Sequence, residues 1–293
     1  MTYQTLNLEN REGILILKLN RPEAMNSFTV EMANELIDVY NYASNDDSVK
    51  AIILTGEGRA FCAGMDLTTE GNVFGLDESL KPTLQELSDG LDDPEMIRGV
   101  RDTGGLVTLA MFDCNKPIIA AINGAAVGIG ATMTLAADIR LASSKAKIGF
   151  VFGKIGITPE ACSTWFLPRI VGMSQALEWV FSAELLSAEE AKEGGLISKI
   201  SDPEALLEDA ITLARKFTTN RSPVATAMAR QMMYRNSAMP HPIDAHKVDS
   251  LAIYYCSLND GKEGVQSFLE KRDPEFSGST NDMPDFYPWW DAK

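Results

Sequence analysis

Polar and apolar positions alternate over residues 3–9 and again over 14–19, with Asn10-Arg11-Glu12-Gly13 between them, a pattern that predicts a β-hairpin. Residues 20–26 leave the sheet as a loop in which Pro22 withholds a backbone donor. Thr29 then suits the N-cap of a helix that carries Met32, Leu36, Val39 and Tyr40 on one face. Residues 49–54, apolar apart from Lys50, predict a buried strand, closed by Thr55-Gly56-Glu57-Gly58. A small-residue turn, 61–67, follows directly on a strand. Residues 68–98 are acidic and weakly periodic, and predict a surface segment with short helices that could cover a site. Helical spacing returns over 99–112.

The rest of the chain is organised around Asn123-Gly124-Ala125-Ala126-Val127-Gly128-Ile129-Gly130-Ala131-Thr132. A buried strand is predicted before it, over 117–122, and an Ala-rich helix after it, to Ala137. A glycine-dense turn between strand and helix leaves N–H groups near Gly128 and Ile129 without partners and lets a ligand approach them. Such donors can hold a phosphate, or an oxyanion that forms during a reaction. A tight packing corner gives the same pattern, so a second donor is needed, and the 61–67 turn is the candidate. A short strand follows at 138–142, and then the segment 145–150. In the loop 153–160, Thr158 and Pro159 form a cap and first-position pair for a helix through Leu167. Helices are predicted at 174–181 and 187–193, the second opened by Ser187, Glu189 and Glu190 and ended by Gly194-Gly195. After 196–200 the pattern becomes helical at 202–217, 222–235, 243–257 and 262–271, which divides a 1–200 core from a 201–293 helical region. The Pro-, Asp- and aromatic-rich stretch from Arg272 to the end is expected to wrap a surface or fray.

With 293 residues and 45% hydrophobic content, the chain can build a sizeable core. Its formal charge of −15 argues against nucleic acid and against an anionic membrane surface. No apolar run approaches the roughly 20 residues of a membrane span. The first residues carry no signal-like pattern and the last are not a peroxisomal address, so a cytoplasmic location is expected. Four scattered cysteines without a CxxC fit reduced thiols. The two histidines, His241 and His246, lack a third ligand and suit helix capping or surface contacts, so no metal site is expected.

Several blocks together resemble the crotonase (enoyl-CoA hydratase/isomerase) superfamily. They are Leu19-Asn20-Arg21-Pro22, Phe61-Cys62-Ala63-Gly64-Met65-Asp66-Leu67, Lys116 through Gly124, Ala137-Asp138-Ile139-Arg140, residues 185–200, and Phe268-Leu269-Glu270-Lys271-Arg272. The resemblance spans nearly the whole chain. It implies an α/β fold, a spiral of ββα units with a helical C-terminal region that packs subunits into a homotrimer or a dimer of trimers. It also implies an acyl-CoA substrate whose thioester enolate is held by two backbone N–H groups, here those of Met65 and Ile129. No separate cofactor is implied, because the coenzyme A thioester is the substrate. Arg21, Ala24, Ala63, Asp66 and Leu67 match the positions that contact the nucleotide and pantetheine. Phe268 and Lys271 match positions from which a neighbouring subunit reaches the same coenzyme A. For Arg21 and Lys271 a structural salt bridge is the competing role.

The catalytic carboxylates depart from the hydratase pattern. The two glutamates that place water in hydratases of this superfamily fall on Thr132 and Phe152 here. Glu160 instead lies in Gly156-Ile157-Thr158-Pro159-Glu160-Ala161-Cys162-Ser163, which resembles the catalytic block of Δ3,Δ2-enoyl-CoA isomerases. A single carboxylate can take a proton from C2 and return it at C4. Apolar neighbours such as Phe150, Phe152, Trp165 and Phe166 are expected to raise its pKa. The competing role is an ordinary first-turn helix residue favoured by the macrodipole. The reading is therefore an enoyl-CoA isomerase with Glu160 as base. The alternatives are a hydratase or ring-type acyl-CoA isomerase, favoured by a further carboxylate such as Asp102 near the pocket, or a non-catalytic acyl-CoA-binding homologue.

Overall fold

The structure, a computed structural model, describes residues 2–68 and 71–291. Small parts of the acidic segment (69–70) and of the tail (292–293) therefore lie outside the described residues.

The chain opens with β1 (Leu6–Arg11) and β2 (Ile14–Leu19), an antiparallel pair in which Arg11 faces Ile14. The predicted four-residue turn is thus only two residues long. Glu12 and Gly13 both have positive φ, the geometry that matches the twist of the flanking strands. Helix α1 (Val30–Ser44) begins as predicted, with the Thr29 side chain accepting the Met32 N–H. Then come β3 (Ala51–Gly56), β4 (Ala60–Cys62), and three helices: α2 (Leu84–Asp89), α3 (Pro94–Gly99) and α4 (Thr103–Asp113). The acidic segment does hold short helices, and α4 starts later than its periodicity suggested because Asp102 caps it.

Strands β5 (Ile118–Ile122) and β6 (Ala125–Val127) lead into α5 (Ile129–Thr132), which tightens to a 3-10 turn over Met133–Ala136. The sequence does not announce β6, a three-residue strand of small side chains inside the glycine-rich turn. Next are β7 (Ile139–Ser143), β8 (Lys147–Gly149), α6 (Ser163–Val171), α7 (Met173–Ser182), β9 (Leu185–Ser187), α8 (Ala188–Glu193) and β10 (Lys199–Ser201). The expectation for 158–167 is corrected: Ala161 and Cys162 have φ of +57° and +54°, so no helix can run from Pro159 through them. Helix α6 begins only at Ser163, and Glu160 is not in its first turn. The remaining helices are α9 (Leu206–Thr218), α10 (Pro223–Asn236), α11 (Pro242–Leu258) and α12 (Asp260–Glu270).

Two sheets result, in the orders β1-β2-β3-β5-β7-β10 and β4-β6-β8-β9. Three times a strand of the first sheet passes through a short link into a strand of the second (β3 to β4, β5 to β6, β7 to β8), and helices follow. This is a spiral of ββα turns. The alternation expected over 14–19 is corrected: Ile14–Leu17, like Ala51–Leu54 and Ile118–Ile122, is apolar throughout because both strand faces are buried. Leu15, Leu17, Ile52, Leu54, Ile118 and Ala120 face the main core with α1 and α4, whereas Ile14, Ile16, Ile53 and Ile119 face α9.

The superfamily-like blocks have structural work to do. Asn123 ties the β3–β4 and β5–β6 links together, accepting the Gly56 N–H at 3.0 Å and donating to the Gly58 and Ala60 carbonyls. Arg140 is buried and donates to the Thr134, Ala137 and Leu196 carbonyls. Arg230 of α10 is paired with Asp138 at 3.0 Å and bonded to the carbonyls that end α4, which anchors the C-terminal helices on the core. The tail wraps the surface: Thr280 meets Asp47 and the buried Lys116, and Trp290 stacks on Arg235.

Candidate active site

The parallel pairing of β4 with β6 brings the two turns that follow these strands side by side. The first turn holds Gly64 at φ +111°, and the second holds Gly128 at φ +55° and ψ −124°, conformations that only glycine adopts without strain. The turns touch: a Cβ on Gly64 would meet the Val127 carbonyl at 3.3 Å, and one on Gly128 would lie 3.9 Å from Gly64 Cα. Gly130 is closer still to the first turn, with a Cβ there falling 2.1 Å from the Cys62 carbonyl oxygen. Met65 is held by a parallel bridge to Phe28, in which Phe28 N–H bonds Gly64 O and Asp66 N–H bonds Phe28 O. That bridge uses the groups on either side of Met65 and leaves its own N–H aside. Ile129 is the first residue of α5, where a helix lacks intrahelical acceptors for its N–H groups. Among the described residues neither the Met65 nor the Ile129 N–H has an acceptor. The two donors predicted from sequence are therefore neighbours in space.

Glu160 joins them from a third segment. The Thr132 hydroxyl, one helical turn after Ile129, donates to Glu160 Oε1 at 2.5 Å. A Cβ on Gly104 would fall 2.3 Å from Glu160 Oε2 and 2.4 Å from Ile129 Cδ1, so the carboxyl and the Ile129 side chain meet over a glycine of α4. Burial, then the charge of Asp102, push the Glu160 pKa up to about 8, against the smaller downward pull of Thr132. The expected aromatic wall is placed differently. Phe150 stacks on Trp179, Trp165 and Phe166 pack on Phe112, and the groups beside the carboxyl are Thr132, Asp102, Gly104 and Ile129.

The five residues expected at the coenzyme A end form one cluster beside the Met65 turn. Ala24 lies in a 3-10 turn over Pro22–Ala24, next to Met25, whose carbonyl accepts the Ala63 N–H. Arg21 donates to Asp66 at 2.8 Å and to the Ser27 carbonyl at 2.6 Å. Thr68 and Arg21 together hold Asp66 well below the usual carboxylate range. Within this chain Arg21 makes the structural salt bridge with Asp66, and the pair braces the turn that carries Met65. Leu67 is exposed, as a residue that faces a ligand would be. Phe268 and Lys271 are also exposed, at the end of α12, and among the described residues no hydrogen bond or ion pair joins them to this cluster.

Sequence reasoning missed two parts of the site. Thr132 was read only as a lost glutamate, yet its hydroxyl holds Glu160. Gly104-Gly105 was read as helix, and the signal was there, since two glycines in a first turn are costly unless space is needed. His241 caps α11 by accepting the Ile243 N–H, as its type suggested. Among the described residues no cluster of His, Cys, Asp and Glu could hold a metal, and no helix is long and apolar enough to cross a membrane.

The family model for enoyl-CoA hydratase/isomerase matches residues 9–279. The chain belongs to the enoyl-CoA hydratase/isomerase family. Among its relatives, enoyl-CoA hydratase AFT3-1 of Alternaria alternata is 39% identical over 93% of this chain and 86% of its own. The 1,2-epoxyphenylacetyl-CoA isomerase of Escherichia coli is 34% identical, over 91% of this chain and 96% of its own. A probable enoyl-CoA hydratase/isomerase from Mycobacterium abscessus has the same fold, with a TM-score of 0.80 at 28% identity over 94% and 99% of the two chains. The spiral described above is therefore the crotonase fold, and relatives of both reaction names share it.

Proposed function

We propose that this crotonase acts on an enoyl-CoA, holding the thioester enolate on the N–H groups of Met65 and Ile129 while Glu160 moves a proton from C2 to C4. The double bond shifts from C3 to C2, and nothing is added or lost. What carries the reading is one convergence: two acceptor-free N–H groups lie beside one carboxyl whose pKa is pushed up to about 8. Removing a proton next to a thioester places charge on its carbonyl oxygen, and each preorganised donor is worth roughly 3 kcal/mol in such sites. A carboxyl titrating near neutrality can take that proton and release it again. Thr132 and Phe152 stand where a hydratase of the superfamily carries its two glutamates, which supports a single-carboxylate shuttle.

Hydration is the second reading, favoured by Asp102 beside Glu160 and by the relatives named as hydratases. In that case the protonated Glu160 gives its proton to C2, the oxygen of a water bonds to C3, and the proton that water loses passes to Asp102 and back to Glu160. The two readings predict opposite pH dependence. A Glu160 that starts as base needs its ionised form, so kcat/KM rises as pH passes 8; one that starts as acid loses activity there. The test is a paired assay on a 3-enoyl-CoA and a 2-enoyl-CoA, with Glu160→Gln alongside. Conjugation of the 3-enoyl substrate that rises through pH 8 and disappears in Glu160→Gln supports the isomerase. Water addition to the 2-enoyl substrate that falls above pH 8 replaces it with the hydratase. Silence on both substrates with retained acyl-CoA binding leaves a non-catalytic binder.

The assembly proposed is a homotrimer or a dimer of trimers in which Phe268 and Lys271 reach the coenzyme A of a neighbouring subunit. Exposed apolar side chains on the C-terminal helices, among them Met233, Ile253, Phe268 and Leu269, support such packing.

A further inference from the structure

Glu160 is followed by two residues held in the left-handed region, an arrangement that strains residues with side chains. A turn of this kind persists only where its surroundings over-determine it. Here they do. Asp102 Oδ2 accepts the Ala161 N–H at 2.5 Å, and the Thr108 hydroxyl donates to the Ala161 carbonyl at 3.1 Å. Asp102 itself is fixed as the N-cap of α4, where its Oδ1 accepts the Gly104 N–H at 3.0 Å. The negative charge of the same carboxylate acts on the Glu160 carboxyl and adds to the effect of burial on it. Two glycines make the space: a Cβ on Gly104 would strike Glu160 Oε2, and one on Gly105 would fall 2.8 Å from Asp102 Oδ2.

We propose that Asp102 is the positioning residue of this site: it sets the left-handed Ala161–Cys162 turn that aims Glu160, and it places a negative charge beside the Glu160 carboxyl. The proposal rests on Glu160 being the proton-transfer group, and it makes Asp102, after burial, a group that sets when Glu160 is ionised. A neighbouring negative charge disfavours ionisation of a carboxyl, so Glu160 keeps its proton to higher pH while Asp102 stands beside it. The other titratable groups that face Glu160 are the thiols of Cys62 on β4 and Cys162 in the turn, with Arg101 facing Cys162. Among the described residues none of these gives Glu160 a cationic partner. Asp102 is the one negative group acting on it, and its two oxygens already accept backbone N–H groups, which suits a brace better than a water-activating base.

Asp102→Asn and Asp102→Ser both keep an N-cap for α4 and remove the charge. The readout that does not need turnover is the infrared band of the protonated carboxyl, assigned by its loss in Glu160→Gln and followed against pH. In both variants the midpoint is expected to fall by about one unit or more, raising the ionised fraction at neutral pH from roughly a tenth to about a half. The pH midpoint of kcat/KM should move down with it, and kcat should drop with KM nearly unchanged, because the turn loosens while the acyl-CoA contacts remain. A Glu160 midpoint that stays in place in both variants overturns the proposal. Should Glu160→Gln keep full turnover, the proton-transfer role of Glu160 fails on its own, while the infrared titration still decides whether Asp102 governs it.

Discussion

Glu160 shows how a single side chain couples the site to the stability of the fold. Its carboxyl has an ordinary pKa of 4.5 and a folded value near 8, so between those limits the folded state holds a proton that the unfolded chain releases. The stability carried by the protonated carboxyl is fully present below about pH 4.5 and lost as pH rises through 8. The loss is on the order of a few kcal/mol. Glu160→Gln removes the ionisation. The expected outcome is a variant close to the wild type in Tm at pH 5 and more stable than it at pH 9, read from melts at both. A wild type whose Tm difference from the variant is the same at both pH values would mean that the carboxyl is not held protonated. Thr132 belongs to the same scale: the position offers no carboxylate, but its hydroxyl keeps Glu160 in place.

The elements matter through how closely they approach. Strand β4 and helix α5 meet across Gly130 with no room for a methyl group, since a Cβ there would lie 2.1 Å from a backbone oxygen that cannot swing aside. The two candidate oxyanion donors, Met65 and Ile129, sit on either side of that contact. Gly130→Ala is therefore expected to force α5 away from β4. The change should destabilise the fold by about 1–3 kcal/mol and lower kcat far more than it raises KM, which melting curves and steady-state kinetics would check. Unchanged kcat in a folded Gly130→Ala protein would argue that the pair of donors does not act as a unit. The β6 strand and the left-handed turn after Glu160 are features of this scale that local pattern could not reveal. One is too short to show a period, and the other is imposed by Asp102 and Thr108 from α4.

At the scale of the whole molecule, the proposed assembly is what would complete the acyl-CoA site. Arg21 is occupied by Asp66 and Ser27, whereas Lys271 is exposed and has no ion-pair partner among the described residues. In the proposed trimer, Lys271 is the free cation available to a phosphate across the subunit boundary. Lys271→Ala should leave Tm unchanged and raise KM for a coenzyme A thioester about tenfold, with no effect on a pantetheine thioester that lacks the nucleotide phosphates. Equal KM changes for both thioesters would place Lys271 away from the phosphates.

Much of this protein is written locally. The hairpin, the capping of α1 by Thr29, the buried strands β2, β3 and β5, the capping box of α8 and the run of C-terminal helices follow from periodicity and turn chemistry, because each depends on residues a few positions apart. Backbone donors were legible for the same reason: glycines at 64 and 128 mark turns that no other residue makes cheaply. The carboxylate environment was not legible. Asp102, Gly104, Thr132 and Glu160 are far apart in sequence, and their contact exists only because α4, α5 and the turn before α6 pack on one another. Pairing and burial are properties of that packing, so Glu160 could be picked out by its sequence block, but tertiary structure alone decided which groups surround its carboxyl.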